Sequence, residues 1–127
     1  MDLREKSICL LASVSGVGVQ DGDPKAILYT VPLGKQCIIT HVVVRLATAS
    51  LADGVDFNFG EGAGADTWKE TVDLSGLVDA TTYYVVTNND ALNIIFNEAE
   101  EFGIISETGA TADAEVTIDV FGYLYDV

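Results

Sequence analysis

Between Glu115 and Tyr125 the chain reads EVTIDVFGYLY, and its apolar residues recur with a period of two. Val116, Ile118, Val120 and Leu124 fall on one side; Glu115, Thr117, Asp119, Phe121, Tyr123 and Tyr125 fall on the other. Successive side chains of a β-strand point to opposite faces, so this pattern is a strand with one side buried. A helix of the same length would scatter these residues around its axis. Runs of similar character, rich in Val, Ile, Thr, Tyr and Phe, occur at 6–14, 26–32, 36–49, 54–60, 67–74, 82–87, 91–97 and 101–106, with the last at 113–125. The segments between them carry turn chemistry: QDGDPK, LADGV, TNNDAL and SETGATAD. SGLVDA and NEAEEF are the helical candidates, each a single turn at most. Linkers, low-complexity tracts and repeats are absent from the sequence.

Strands at this spacing without intervening helices predict an all-β, antiparallel β-sandwich or barrel. A single domain over residues 1–127, with about eight main strands, fits a jelly roll best. In that topology the last strand lies inside a sheet, between the first and the third.

The third strand contains His41, the sole histidine of the chain. Alternation assigns Ile38, Val42, Val44 and Leu46 to the core, and Cys37, Ile39, His41, Val43 and Arg45 to the outer side. A catalytic base needs a nucleophile or oxyanion donors beside it, and no GxSxG or HExxH motif is present. A metal site needs more His or Cys than this chain holds. His41 and Arg45 are read instead as cations answering Asp119 and Glu115 across the strands. The outer side of these two strands is unusually apolar for a sheet facing water. Ile39, His41, Val43, Arg45, Asp119, Phe121, Tyr123 and Tyr125 therefore form the expected interface with another subunit or partner.

Charge narrows the partners. The 127 residues carry 20 acidic and 6 basic side chains, a net −14, and every cation lies at or before Lys69. Such a chain is repelled by phosphate backbones and by anionic membranes, which excludes nucleic acid and membrane surfaces as partners. Other constellations fall to blander readings. FGEGAGAD lacks the Lys-Ser/Thr of a phosphate loop. Asp21, Asp23, Asp53 and Asp56 offer hard oxygens for calcium but follow no EF-hand spacing. Glu98, Glu100 and Glu101 lie on a short acidic loop with nothing to raise a carboxyl pKa for glycoside hydrolysis. Trp68 alternates with Val72 and Leu74, which places it in the core. Cys9 and Cys37 fit no CxxC or metal spacing, and strands flanking the last one hold them too far apart to bridge. At the start, Asp2 and Glu5 cancel Arg4 and Lys6, so the apolar stretch that follows is read as a first strand rather than a secretory signal. No cofactor and no catalytic residue is expected.

TVPLGKQCIITHVVVR, VDFNFGEG, TWKETVDLSGL and EVTIDVFGYLYD together resemble small structural proteins of tailed bacteriophages, over roughly Tyr29 to Val127. The resemblance implies a non-enzymatic jelly-roll virion protein of the capsid decoration (cement) or head-fibre type. It further implies a trimer on the outer surface of the phage head, contacting the major capsid protein or other virion proteins after synthesis in the host cytoplasm. Residues 1–28 lie outside the resemblance and include a possible N-terminal arm for that contact. The charge agrees with an outer position, since the inside of a DNA-filled shell disfavours a net −14. The alternative is a carbohydrate- or receptor-binding β-sandwich of a tail or fibre, using calcium at the Asp-rich turns.

Overall fold

The computed structural model describes residues 7–88 and 94–127. The first residues of the expected arm (1–6) and residues 89–93, in the expected turn at TNNDAL and the start of the strand expected at 91–97, lie outside the described residues. The strands in chain order are β1 (Cys9–Gly18), β2 (Ala26–Thr30), β3 (Lys35–Arg45), β4 (Asp56–Gly60), β5 (Lys69–Val72), β6 (Tyr83–Thr87), β7 (Ile95–Asn97), β8 (Glu101–Thr108) and β9 (Glu115–Asp126). They form two antiparallel sheets, ordered β1-β9-β3-β6 and β2-β8-β4-β5, with β7 also paired to β3. β6 and β7 occupy different lengths of the same side of β3, opposite Arg45–His41 and Ile38–Gln36 respectively. β9 lies between β1 and β3, the arrangement the jelly-roll reading requires. Neither SGLVDA nor NEAEEF is helical: the first lies in turns, and the second joins the end of β7 to the start of β8 through a turn in which Ala99 takes φ +68°.

The alternation of β9 is unbroken, and it buries Val116, Ile118 and Val120 completely while Leu124 packs at the edge of the core. β3 behaves differently. Its pairing with β9 shifts register between Ile39 and His41, so that Thr40 is an extra residue in the strand. A β-bulge of this kind reverses the facing of every residue beyond it. Cys37 and Ile39 therefore point into the core on one side of Thr40, and Val42 and Val44 do so on the other. This corrects the regular alternation expected for β3: Ile39 is fully buried and leaves the expected interface, Cys37 leaves the expected outer side, and Ile38 moves to the outer side opposite Tyr123 although it remains buried. Leu46 is also corrected. β3 ends at Arg45, Leu46 turns out to solvent at φ +55°, and Ala47 is buried in its place.

The two sheets close over an aromatic cluster. Trp68 meets Phe102 edge to face at 5.4 Å, and Phe96 meets the same ring at 5.5 Å. Phe59 lies 6.2 Å from Phe102 and 6.3 Å from Trp68. Trp68 is in the core as its alternation with Val72 and Leu74 indicated, and its indole N–H donates to the Ile39 carbonyl at 3.0 Å. A buried indole needs such a partner, and here the bond ties the approach to β5 to the bulge of the opposite sheet. Cys9 and Cys37 are free thiols on the two strands flanking β9. Burial, followed by the nearby Glu100, pushes the Cys37 thiol up to about 12, so it stays protonated and inert.

Gly122 makes the close approach at the bulge possible, because a Cβ there would stand 2.0 Å from the Ile38 carbonyl oxygen. That atom is backbone and can give way only if the strands part. Gly122→Ala should therefore lower stability by about 1–3 kcal/mol, the usual cost of overpacking. Urea melts followed by circular dichroism check this; an unchanged midpoint would contradict the close approach.

Candidate interaction surface

Register fixes what lies on the outer face of the β1-β9-β3-β6 sheet. On β9 these are Thr117, Asp119, Phe121, Tyr123 and Tyr125, and on β3 they are Gln36, Ile38, His41, Val43 and Arg45. Seven of the eight residues expected to form the interface thus share one face, the exception being the buried Ile39. The structure adds residues that the sequence pattern did not single out. Leu10 of β1 sits opposite Phe121, Tyr83 and Val85 of β6 sit opposite Arg45 and Val43, and Ile95 of β7 sits opposite Ile38. All four are exposed, Tyr83 by 69% and Leu10 by 54%. The signal that could have found them is cross-strand pairing, which lies beyond any single run of sequence.

The centre of the face is built around two arrangements. Contrary to the expected pairing with a carboxylate, His41 stacks flat on Phe121, with ring centroids 4.7 Å apart and planes 3° from parallel. The Thr40 hydroxyl donates to the Phe121 carbonyl at 3.2 Å and lies 2.9 Å from His41 Nδ1. One hydroxyl has one proton, so with that proton on the carbonyl it is Nδ1–H that donates to Thr40. The bulge residue thereby fixes the orientation of the imidazole.

The second arrangement is an ion pair. Arg45 Nε donates to Asp119 Oδ2 at 2.7 Å and its Nη2 to Oδ1 at 3.3 Å, while the Ser13 hydroxyl donates to Oδ1 at 2.6 Å. Three strands, β1, β9 and β3, are thus joined through one carboxylate. The hydrogen bond from Arg45 holds the Asp119 carboxyl below the usual carboxylate range; partial burial opposes this and the Ser13 hydroxyl reinforces it. Among the described residues, and apart from Glu115 at the rim, Arg45 and Asp119 supply the charge of this face, and they cancel. A molecule of net −14 therefore has one broad face that is close to neutral and rich in apolar side chains. The outer side of the second sheet is more polar: the Asn58 amide donates to Glu107 and its oxygen accepts from the Thr71 N–H.

The acidic loops are used internally. Asp21 accepts from the Gly109 N–H, Asp23 from that of Gln20, and Asp53 from the Thr111 hydroxyl. Glu98 accepts from the Gly34 N–H and Glu100 from that of Asn97. Among the described residues, no three His, Cys, Asp or Glu side chains are grouped to hold a metal ion.

No family model matches the chain, and no curated protein matches it in sequence. Among solved structures, it is similar to a chain of the cyanophage Pam1 capsid asymmetric unit. The likeness has a TM-score of 0.56 at 19% identity and covers 93% of this chain and 85% of that one. At this identity the likeness is one of fold.

The Asp119 site sets a pH dependence. Its folded-state pKa lies below its unfolded value, so the stability it contributes is present above about pH 4 and is lost as pH falls through the folded pKa. Asp119→Asn should be less stable than the wild type at pH 7, and the gap should narrow toward pH 3. Denaturant melts between these values check it, and a gap independent of pH would contradict the assignment.

Proposed function

We propose that this chain is a structural protein of a phage virion, a capsid decoration (cement) protein bound as a trimer to the outside of the head. The observation that carries the reading is the likeness of its fold, along 93% of its length, to a chain of a cyanophage capsid asymmetric unit. The apolar outer face gives the reading its working surface. In this role the protein catalyses nothing. It adds contacts across neighbouring capsid subunits, through Phe121, Tyr123, Tyr125, His41 and Val43 and through the Arg45–Asp119 pair, and so helps the shell resist internal pressure. The net charge of −14 favours the outer side, away from packaged DNA.

The rival glycan-binding reading has less support. Trp68, the natural stacking platform, is wholly buried, and the loop carboxylates close turns.

Phe121→Glu tests the face. Removing a central aromatic from a contact costs about 2 kcal/mol or more, or about 30-fold in affinity, and the new charge stands beside Asp119. The variant should fold normally by circular dichroism yet fail to co-sediment with phage heads stripped of this protein. His41→Ala removes only the stacked ring and should weaken binding by about 1 kcal/mol. Wild-type co-sedimentation of Phe121→Glu would show that this face is not the contact.

A further inference from the structure

We infer that the free edge of β6, Tyr83–Thr87, is a strand-addition site at which a second copy of this chain docks. The inference deepens the virion reading by naming a partner, and it rests on that reading for its setting.

β6 is the last strand of its sheet and pairs with β3 through five successive residues with no register shift. Its other edge has no strand partner among the described residues, so its alternate N–H and C=O groups are available to one. Natural sheet edges are guarded by charges, prolines or bulges, because a flat apolar edge recruits another strand. The other edges of this sandwich are guarded, that of β7 by its length of only three residues. β1 carries two register shifts, β2 carries one, and β5 has Lys69 and Glu70 within its four residues. β6 has none of these devices, and Tyr83, Tyr84 and Val85 are all exposed. Beside it, a cleft of about 240 Å³ opens between Lys69, Thr71 and Asp73 on one side and Tyr84, Val85 and Thr87 on the other. The cleft leaves room for the inward side chains of an added strand.

Charge selects the occupant. A cationic partner would be drawn to the carboxylates that give the chain its −14, and β6 itself carries none. Two copies of the chain, by contrast, repel one another wherever acidic surfaces meet. From Ala80 to Asn88 nine consecutive residues carry no charge, so here a second copy approaches without that penalty. Main-chain hydrogen bonds then supply the attraction, as in other strand-addition complexes.

The test uses the full chain. Wild-type protein should sediment at a multiple of 13.5 kDa, and hydrogen exchange should show amides within 83–87 gaining protection as concentration rises. Val85→Lys puts a charge on an exposed outward position and should sediment as a single 13.5 kDa chain with an unchanged circular dichroism spectrum. If that variant fails to fold, Thr87→Lys at the exposed end of the strand should give the same result. A wild type that is monomeric at every concentration, unprotected amides at 83–87 in an oligomer, or a folded lysine variant of unchanged mass would each overturn the inference. Co-sedimentation with stripped phage heads separates the two readings. Wild type that self-associates through β6 but never pellets with heads overturns the virion reading and leaves this one standing.

Discussion

The extra residue at Thr40 fixes the inside and the outside of this protein. Without it β3 would present Cys37, Ile39, His41, Val43 and Arg45 to one side. With it Cys37 and Ile39 enter the core while His41, Val43 and Arg45 stay outside. Several interactions converge on this point. The Ile39 carbonyl receives the Trp68 indole from across the sandwich, the Thr40 hydroxyl binds Phe121 and orients His41, and Gly122 lets the strands close. The aromatic cluster and the outer face are thus two sides of one local irregularity. Bulges re-aim side chains near working surfaces in many proteins, and here the re-aimed residues are those that stack and pair on the face.

Legibility in the sequence followed the regularity of each strand. β9 could be read from its alternation alone because nothing interrupts it, and its place between β1 and β3 followed from the jelly-roll order. β3 could not. From Cys37 to Val44 it is apolar at both parities, so period two gives no sign of where the facing reverses. Ile39 was misplaced for that reason. Leu46 was misplaced because a strand end at positive φ leaves no mark in an apolar run. The stacking of His41 on Phe121 depends on register, which hydrophobic pattern sets only to within the buried face. The residues of β1, β6 and β7 that complete the face are unremarkable singly and acquire meaning only when paired.

A neutral, apolar face on a strongly acidic molecule divides the labour of its surface. The carboxylates keep the free chain dispersed by mutual repulsion. In the proposed role the face opposes that repulsion at the contact, since its central ion pair cancels and its aromatic rings supply area. Within it, the Arg45–Asp119–Ser13 cluster gives direction rather than strength: partly exposed pairs add little energy but fix register. In the proposed role, such a face lets a small β-sandwich act through where it binds.

The most direct measurement is a cryo-electron-microscopy map of the particle that carries this protein. The account places the β1-β9-β3-β6 face, with Phe121 and Tyr123, against a neighbouring virion subunit, and leaves the Asn58–Glu107 side of the second sheet in solvent. A map in which Phe121 and Tyr123 face open solvent while the second sheet makes the contacts would contradict it.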